Sequence, residues 1–526
     1  MRNLSMRTRG LLFASILLCF LASSLSAQLP PVKTDPLHPA QGIQGSAGCS
    51  ATEASACAQA AAKITPVVMG ESPLEENLRR LTDEIGGRVS GSPEMAKAVD
   101  WAVAAFRAAG VEVHTEKYLL PTTWSEGTTR LELLGPVQFP VSLVSGGLSP
   151  ATPPSGLEGT LIDVGGGTEA EFARAGSAVK GAILIVHTEV SYTWQDLIRE
   201  YEQPLPIIDR AVKAGAAAIL WTSQRERKLL YRHTDSPDGK IEPIAQAIVA
   251  REDALRLQRT VAANSGKVRV RLTMPNKIDG PVDQFNVVGE IHGYEKPDEV
   301  VVLGAHLDSW ELGTGALDNG CNAAMVIEAA RAIKASGLLP RRTIRFILFS
   351  GEEQGLLGSW AYVQAHRAEM DKYRAAVVFD MGIGRVTGYS LGGRRDIESG
   401  LREILRPFAG WGVDNHTYDA ESGTDHLDFL LEGVPTLVAN QEVANYLQNY
   451  HAASDTFDKV DIRELKLNTV LAAVTAWGIA DRADPIGKRL SRTEMETLLK
   501  ETHLDEELKA FDMWADWQSG ARGRKP

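Results

Sequence analysis

Residues Glu299–Ser309 read EVVVLGAHLDS, an apolar and β-branched run that ends in a His-Leu-Asp triplet. Two later stretches have the same form: Arg342–Ser359 reads RTIRFILFSGEEQGLLGS, and Tyr373–Gly382 reads YRAAVVFDMG. Such runs are typical of parallel strands that are buried on both faces. In open α/β sheets, ligands bind at the carboxyl ends of the strands. The three stretches therefore predict an α/β fold in which imidazole and carboxylate groups converge at one edge of one sheet.

Length, composition and charge set the broad class of protein. The chain has 526 residues, which is too long for one ordinary hydrophobic core, so we expect two or more domains. Apolar residues make up 44% and charged residues 23%, which is typical of a soluble globular protein. The net charge of −12 argues against a nucleic-acid partner, because nucleic-acid-binding surfaces are basic.

The N-terminus has the features of a secretory signal peptide over residues 1–27. Three Arg residues precede the apolar run LLFASILLCFL at Leu11–Leu21, and small residues follow as far as Ala27. The run is too short for an ordinary membrane span, and no other segment reaches spanning length. An uncleaved anchor is the alternative. We expect an exported protein, periplasmic or secreted, with no membrane span after signal cleavage.

Changes in composition divide the rest of the chain. Residues 28–65 are rich in Pro, Ala, Gln and Gly, and we expect a flexible leader there. Helix signals and a strand over 66–130 indicate the N-terminal part of an α/β domain. Short strands separated by Gly/Pro turns over 131–278 indicate an inserted α/β or β-rich module. Alternating strands and helices resume over 279–485, and a C-terminal helix and polar tail occupy 486–526.

The cysteines argue against a thiolate metal site. No pair has zinc-finger spacing, so a metal would be held by O and N ligands. Cys49 and Cys57 could form a disulfide in an oxidising compartment, and two free thiols are the alternative. Cys321, beside the predicted site, is expected to be a buried small hydrophobe.

The polar residues at the predicted strand ends match the needs of a two-metal hydrolase. Two zinc ions about 3.5–4 Å apart activate one bridging water and polarise a carbonyl. His306 and Asp380 can serve one metal, and His451 with one Glu can serve the other. Asp318, in the Gly-rich turn GALDNG, is the natural bridge.

The adjacent Glu352 and Glu353 diverge at a strand-to-helix corner, so one can bind a metal while the other acts as general base. Asp308 lies two residues from His306 on an extended chain and can accept the second ring N–H. Each of these residues could also be structural, and a Glu-Glu pair often begins a solvated helix. That alternative leaves unexplained why three such clusters stand at strand ends.

The motifs HLDS, GALDNG, FSGEEQGLLGS, FDMG and YHAASDTFDKV together resemble those of the co-catalytic di-zinc exopeptidases of the M28 type, such as leucyl aminopeptidase and carboxypeptidase Q-like members. The resemblance covers residues 72–120 and 283–482. It implies a zinc-exopeptidase fold with a mixed, mostly parallel sheet flanked by helices. It also implies that residues 131–278 are a β-rich protease-associated domain.

The resemblance further implies two Zn²⁺ per chain and a role for each matching residue. The implied ligands are His306 and Asp380 for one ion, Glu353 and His451 for the other, and Asp318 between them. Glu352 would be the general base that activates the bridging water, and Asp308 would orient the ring of His306.

Other residues are candidates for the substrate pocket. The SGTDH motif resembles the family's loop beside the pocket, so Asp425 or His426 is expected to line it, although a purely structural loop is the alternative. Asn445 and Tyr446 are further candidates. Asp455 is expected to fix the loop of the YHAASD motif.

The leading hypothesis is an exported di-zinc exopeptidase that hydrolyses short peptides as an aminopeptidase or dipeptidase. Met381 resembles aminopeptidase members, whereas the GTD loop resembles carboxypeptidase Q, so a carboxypeptidase is the alternative within the class. A glutaminyl cyclase with one zinc and a catalytically inactive binding scaffold are alternatives from other classes. The complete ligand set argues against both. The sequence leaves the oligomeric state open, with a homodimer among the options.

Overall fold

The computed structural model describes residues 51–236 and 238–526, and of residues 51–55 it describes the backbone alone. The predicted signal peptide over 1–27 and the first part of the leader expected over 28–65 lie outside the described residues. So does Cys49, and with it the disulfide considered for Cys49 and Cys57.

The chain first forms a layer of helices and two strands. These elements are α1 (Ala51–Met69), α2 (Leu74–Arg79), α3 (Pro93–Ala108), β1 (Glu112–Leu120) and β2 (Thr123–Ser125). Helix α3 begins as its sequence predicts, because the Ser92 hydroxyl accepts the N–H of Met95 and Pro93 occupies the first helical position.

Helix α1 occupies residues that were expected to belong to a flexible leader as far as residue 65. Its apolar residues recur four apart, so Ala60, Ile64 and Val68 form one stripe, and all three are fully buried. That stripe belongs to the same hydrophobic core as the central helices of the larger domain. The expectation is therefore wrong for residues 51–65.

Residues 130–273, which we call the inserted module, form a second sheet with helices. In chain order the elements are β3 (Arg130–Leu133), β4 (Leu143–Ser145), β5 (Leu157–Asp163), α4 (Glu169–Ala175), β6 (Ile183–Val186), α5 (Trp194–Glu202), α6 (Pro204–Ala214), β7 (Ala218–Thr222), β8 (Ala245–Val249), α7 (Arg251–Ala263) and β9 (Arg269–Thr273). The strand order is β3-β9-β5-β6-β7-β8-β4, and β5 to β8 are parallel. Parallel strands need crossover connections, which explains the helices α4 to α6 between them.

The chain then leaves the inserted module through β10 (Lys277–Asp279), which pairs with β2. The following elements are β11 (Val282–Ile291), β12 (Lys296–His306), α8 (Cys321–Ala335), β13 (Arg342–Phe349), α9 (Leu357–Ala365), β14 (Tyr373–Val378), β15 (Val386–Ser390), α10 (Glu398–Ile404), α11 (Leu427–Leu431), β16 (Thr436–Gln441), α12 (Tyr446–Asn449) and α13 (Ile462–Asp481). The chain closes with α14 (Arg492–Glu501), α15 (Leu504–Ala510) and α16 (Trp514–Ser519).

Within the described residues, the larger sheet has seven strands in the order β1-β11-β13-β12-β14-β16-β15. Strands β13, β12, β14 and β16 are neighbours and parallel, whereas β11 and β15 run in the opposite direction. Helices α3, α8 and α13 pack on one face of the sheet, and α1 packs on α8 and α13. The predicted α/β fold, with a mixed and mostly parallel sheet flanked by helices, is confirmed.

The C-terminal tail is not the solvated segment that its polar sequence suggests. Arg522 is buried, and its guanidinium donates to both carboxylate oxygens of Asp428, at 3.0 and 3.2 Å.

Among the helices in the part of the chain that the structure describes, none combines the length and apolarity that crossing a membrane requires.

Candidate metal centre

Three adjacent strands bring the predicted ligands together. Strand β12 ends at His306, Asp380 follows two residues after β14, and Glu353 follows β13 after a short turn. Because β13, β12 and β14 are parallel neighbours, their carboxyl ends meet at one edge. Asp318 reaches that edge from the turn before α8, and His451 from the turn after α12.

The five side chains form two clusters that share one carboxylate. The His306 Nε2 atom lies 2.9 Å from Asp380 Oδ1 and 3.1 Å from Asp318 Oδ1. The His451 Nε2 atom lies 2.9 Å from Glu353 Oε2 and 3.3 Å from Asp318 Oδ2. In each cluster the donor atoms lie within 4.8 Å of one another, and all five residues are buried.

This donor set fits two divalent cations. Imidazole nitrogens and carboxylate oxygens in groups of three are the ligands that zinc takes in catalytic sites. Asp318 Oδ2 and Glu353 Oε1 are buried and have no hydrogen-bond partner, which a bound cation could supply. Asp318 directs one oxygen to each cluster, as a bridging carboxylate must.

Burial and neighbouring charges shift the pKa values of the residues in the two clusters. Burial raises the pKa of Glu353 to about 7, and it raises those of Glu352 and Asp380. Burial would lower the pKa of His451, but the neighbouring carboxylates Glu353 and Asp318 raise it to about 10. Several carboxylates are thus held together in a buried site, where added positive charge would stabilise their ionised forms.

The two predicted catalytic carboxylates lie beside the clusters. Glu352 belongs to neither cluster, and its Oε2 atom is 4.0 Å from His306 Nε2. The His306 ring is oriented by the backbone oxygen of Asp308, which is 3.0 Å from Nδ1, whereas the Asp308 carboxylate is 3.7 Å from that atom. The same carboxylate accepts the backbone N–H of Glu352 at 3.3 Å.

The predicted pocket residues differ in their distance from this centre. Asp425 is fully buried, and burial raises its pKa to about 8. An electrostatic interaction with His306, a residue of the first cluster, lowers that pKa and so opposes the effect of burial. The Tyr446 hydroxyl donates to the Asp380 backbone oxygen at 3.4 Å. Burial lowers the pKa of His426 to about 4, so this ring is neutral. The Asn445 amide donates to the Lys459 backbone oxygen, so this side chain is engaged with that loop.

Two residues shape the site in ways that the sequence did not indicate. The Asp455 carboxylate accepts the N–H groups of Ala316, Leu317 and Asp318, at 3.1, 2.6 and 3.1 Å, so it holds the turn of the shared carboxylate. The same bonds join the loop of the YHAASD motif, which Asp455 is expected to fix, to that turn. Arg88 is fully buried and donates to the backbone oxygens of the segment that joins His306 to Asp318. Its only sequence signal is its position after a Gly-Gly turn.

Cys321 is fully buried at the first position of α8, and burial raises the pKa of its thiol. Its Sγ atom lies 3.5 Å from the Leu317 backbone oxygen. The residue behaves as the small buried group that the sequence indicated, and it belongs to neither ligand cluster.

Comparisons with known proteins point to one family. Residues 286–476 match the model of peptidase family M28. Carboxypeptidase Q of Mus musculus is 30% identical over 410 residues, which cover 77% of this chain and 85% of that protein. Leupeptin-inactivating enzyme 1 of Streptomyces exfoliatus is 28% identical over 230 residues, covering 40% of this chain and 52% of that protein.

Solved structures agree. The peptidase M28 precursor from Shewanella amazonensis superposes with a TM-score of 0.74 at 27% identity, covering 84% of this chain and 99% of that chain. A zinc aminopeptidase from Bacillus subtilis shares the fold, with a TM-score of 0.61 at 19% identity over 80% of this chain and 97% of that chain. The chain belongs to peptidase family M28 and is a peptidase, a hydrolase of that family.

Proposed function

We propose that this protein is a di-zinc exopeptidase that hydrolyses short peptides as an aminopeptidase or dipeptidase. The observation that carries the proposal is the pair of ligand clusters that share Asp318, with Glu352 beside them and in neither. In this proposal His306 and Asp380 would hold one zinc, Glu353 and His451 would hold the other, and Asp318 would be a ligand of both.

The residues divide the work of peptide hydrolysis. Bound zinc lowers the pKa of a water molecule and polarises the scissile carbonyl. Glu352 accepts the proton of the attacking water on its carboxylate and then donates that proton to the nitrogen of the leaving amine. Burial raises the pKa of Glu352, which brings this carboxylate closer to the range in which it can both accept and donate a proton near neutral pH.

The surroundings of the site support short substrates. Helix α5 of the inserted module places Trp194 against the ring of Tyr446, with centroids 5.7 Å apart. In the same helix the Tyr201 hydroxyl is hydrogen-bonded to the hydroxyl of Tyr450, whose ring stacks on His451. The inserted module, which we take to be a protease-associated domain, therefore packs against the residues around the second cluster and narrows the space for a long chain.

A group of carboxyl side chains near the first cluster supports recognition of a free α-amino group. Asp425 is buried near the first cluster and interacts electrostatically with Asp380 and Asp308, so this side of the site is rich in carboxylates. A substrate ammonium group bound beside Asp425 would lower the raised pKa of this carboxyl and pair with its ionised form. The second candidate is a carboxypeptidase, which is favoured by the 30% identity to carboxypeptidase Q of Mus musculus.

Export forms part of the proposal. The basic N-terminus, the apolar run Leu11–Leu21 and the small residues that follow support a cleaved signal peptide and a periplasmic or secreted protein. N-terminal sequencing of the mature protein tests this, and an intact residue 1 in the exported fraction would contradict cleavage.

The direct test combines metal analysis with a dipeptide panel in free, N-acetylated and C-amidated forms. Two zinc per chain and cleavage that requires a free amino group would establish an aminopeptidase. An added requirement for the free carboxylate would make it a dipeptidase. Cleavage of N-blocked peptides with a free carboxylate would establish the carboxypeptidase instead. One zinc or none, without hydrolysis, would contradict the proposal.

The adjacent glutamates provide a matched pair of variants. Glu352→Gln is expected to keep both zinc ions and to lower kcat by about 10²–10⁴-fold, because only the general base is removed. Glu353→Gln is expected to lose zinc, since it removes a ligand. Elemental analysis and steady-state kinetics distinguish the two. A fall of less than tenfold in kcat for Glu352→Gln would contradict its role as the base.

A further inference from the structure

The inserted module contributes backbone directly to the loop that carries His451. Tyr231 of the module and Ala452 form an antiparallel bridge. On one side of the bridge the Arg232 N–H donates to the His451 backbone oxygen at 2.9 Å, and on the other the Ala453 N–H donates to the Leu230 backbone oxygen at 3.0 Å. A short stretch of the module is therefore paired, strand-like, with the turn that presents a candidate metal ligand.

This pairing also determines which nitrogen of His451 faces the site. The Nδ1 atom lies 3.0 Å from the Arg232 backbone oxygen. Since a carbonyl oxygen only accepts hydrogen bonds, Nδ1 carries the proton. In the neutral ring Nε2 then has a free lone pair directed at Glu353 and Asp318, as a metal ligand requires.

The backbone of His451 needs such support. Its φ is +56°, in the left-handed region that residues other than glycine rarely adopt. A conformation of this kind persists when the surrounding structure fixes it. The two hydrogen bonds that flank the bridge come from the inserted module, and the Ala452 N–H donates within the loop to the Asn449 backbone oxygen at 2.9 Å. The module therefore contributes to holding the ligand in its unusual conformation.

The side chain of Arg232 fixes that module segment to the peptidase domain. It is fully buried, and it donates to the Ser145 backbone oxygen, to Glu126 at 2.7 Å and to Glu311. Its guanidinium also lies over the Trp124 ring, 5.0 Å from the centroid. Glu311 belongs to the segment between His306 and Asp318. The Arg232 side chain therefore binds that segment, while the Arg232 backbone oxygen contacts the ring of His451.

We propose that Arg232, a residue of the inserted module, is a positioning residue for the metal ligand His451. Its backbone oxygen fixes the ring of His451, and its guanidinium fixes that oxygen relative to the segment that carries His306 and Asp318. This inference rests on the proposed function, because it takes His451 to be a zinc ligand. The module is then a structural part of the second zinc site.

The test is zinc affinity, measured by competition with chelators of graded strength on the full chain. In Arg232→Met one zinc is expected to bind with wild-type affinity, and the other about 10–100-fold more weakly. This is the usual loss when the partner of a metal ligand is removed. Arg232→Lys keeps the positive charge without the planar guanidinium, so its affinity for the weakened ion is expected to lie between those of the wild type and Arg232→Met. The expected asymmetry between the ions distinguishes positioning from a general loss of stability.

The matched control is Arg342→Met. Arg342 is equally buried and bonds the backbone oxygens of Ala480 and Ala483, but it lies at the start of β13, the opposite end of the strand from the site. Its loss is expected to lower stability and to leave the two zinc affinities in their wild-type ratio. Glu311→Gln is the milder second variant should Arg232→Met fail to fold, and it too is expected to weaken one ion selectively.

The outcomes separate the two proposals. Wild-type protein that does not bind two zinc ions would overturn the proposed function and this inference with it. The inference alone would be overturned if the wild-type protein binds two zinc ions and the Arg232 and Glu311 variants bind both ions at wild-type affinity. An equal loss of affinity for both ions in these variants would also overturn it. Selective weakening of one ion in these variants, without it in Arg342→Met, would establish it.

Discussion

At the scale of single residues, Asp455 has the most specific task outside the ligand set. Its two oxygens accept three consecutive backbone N–H groups of the turn that presents Asp318. Asp455→Asn replaces one carboxylate oxygen by an NH₂ group. The turn then loses one hydrogen-bond acceptor, and the NH₂ group and the backbone N–H that faces it, both donors, repel each other. We expect zinc affinity to fall about 10–100-fold, measured by chelator competition.

The control for this variant lies in the same loop. Asp458 is exposed and pairs with the neighbouring Lys459, so Asp458→Asn is expected to leave zinc affinity unchanged. Equal affinities for the Asp455 variant and the wild type would show that the turn holds its shape without this carboxylate.

The protonation of His451 predicts how zinc binding depends on pH. In the metal-free protein the nearby carboxylates raise the pKa of His451 to about 10 against the effect of burial, so the ring is protonated at pH 7. A zinc ligand must be a neutral imidazole, so binding releases protons and the apparent affinity rises as pH rises from 6 to 8. Calorimetry in two buffers of different ionisation enthalpy measures the release. A binding heat that is identical in both buffers would contradict it.

The candidate site was largely predictable from sequence at this scale, and for a local reason. His306, Glu353 and Asp380 follow directly from buried strands, so strand direction alone places them at one edge. The contacts of Arg88 and Asp455 join segments far apart in the chain and are made to backbone atoms, and Arg232 contacts His451 through its own backbone oxygen. A backbone acceptor leaves no residue type to recognise, so these roles are visible only in the folded chain.

At the scale of elements, the strands followed from their β-branched runs, whereas α1 did not follow from its composition. An Ala-rich segment gives little sign of packing until its stripe of Ala60, Ile64 and Val68 is set against the core. Ile64→Ala is expected to lower the free energy of unfolding by about 2–5 kcal/mol, because it leaves a cavity at a fully buried position.

Urea denaturation of the zinc-loaded protein measures this loss. The exposed neighbour Lys63 supplies the control, since Lys63→Ala changes no buried surface and is expected to have little effect. A stability for Ile64→Ala equal to that of the control would mean that α1 contributes nothing to the core.

At the scale of the whole molecule, distant segments meet around one centre. The inserted module packs on the second cluster, and the C-terminal segment reaches the turn that follows Glu352 and Glu353. Arg522 donates to Asp428 in α11 and to the backbone oxygen of Gly355 at 3.3 Å, and it lies 4.6 Å from the centroid of the Trp360 ring. The sequence showed only a polar tail, because the partners of Arg522 lie far away in the chain.

Removing Arg522 should therefore be costly both to stability and to catalysis. In Arg522→Met the fully buried Asp428 loses its bidentate partner, and breaking a buried ion pair in this way typically costs about 3–5 kcal/mol. The freed Gly355 turn should also displace the general base, so kcat is expected to fall while zinc content holds. Urea denaturation, kinetics and elemental analysis on one preparation measure the stability, kcat and zinc content.

The control is Lys525→Met, which changes an exposed side chain three residues away and should match wild type in all three measurements. Wild-type stability in Arg522→Met would show that the contacts of Arg522 contribute nothing to the free energy of unfolding. Lost stability with unchanged kcat would confine its role to the fold.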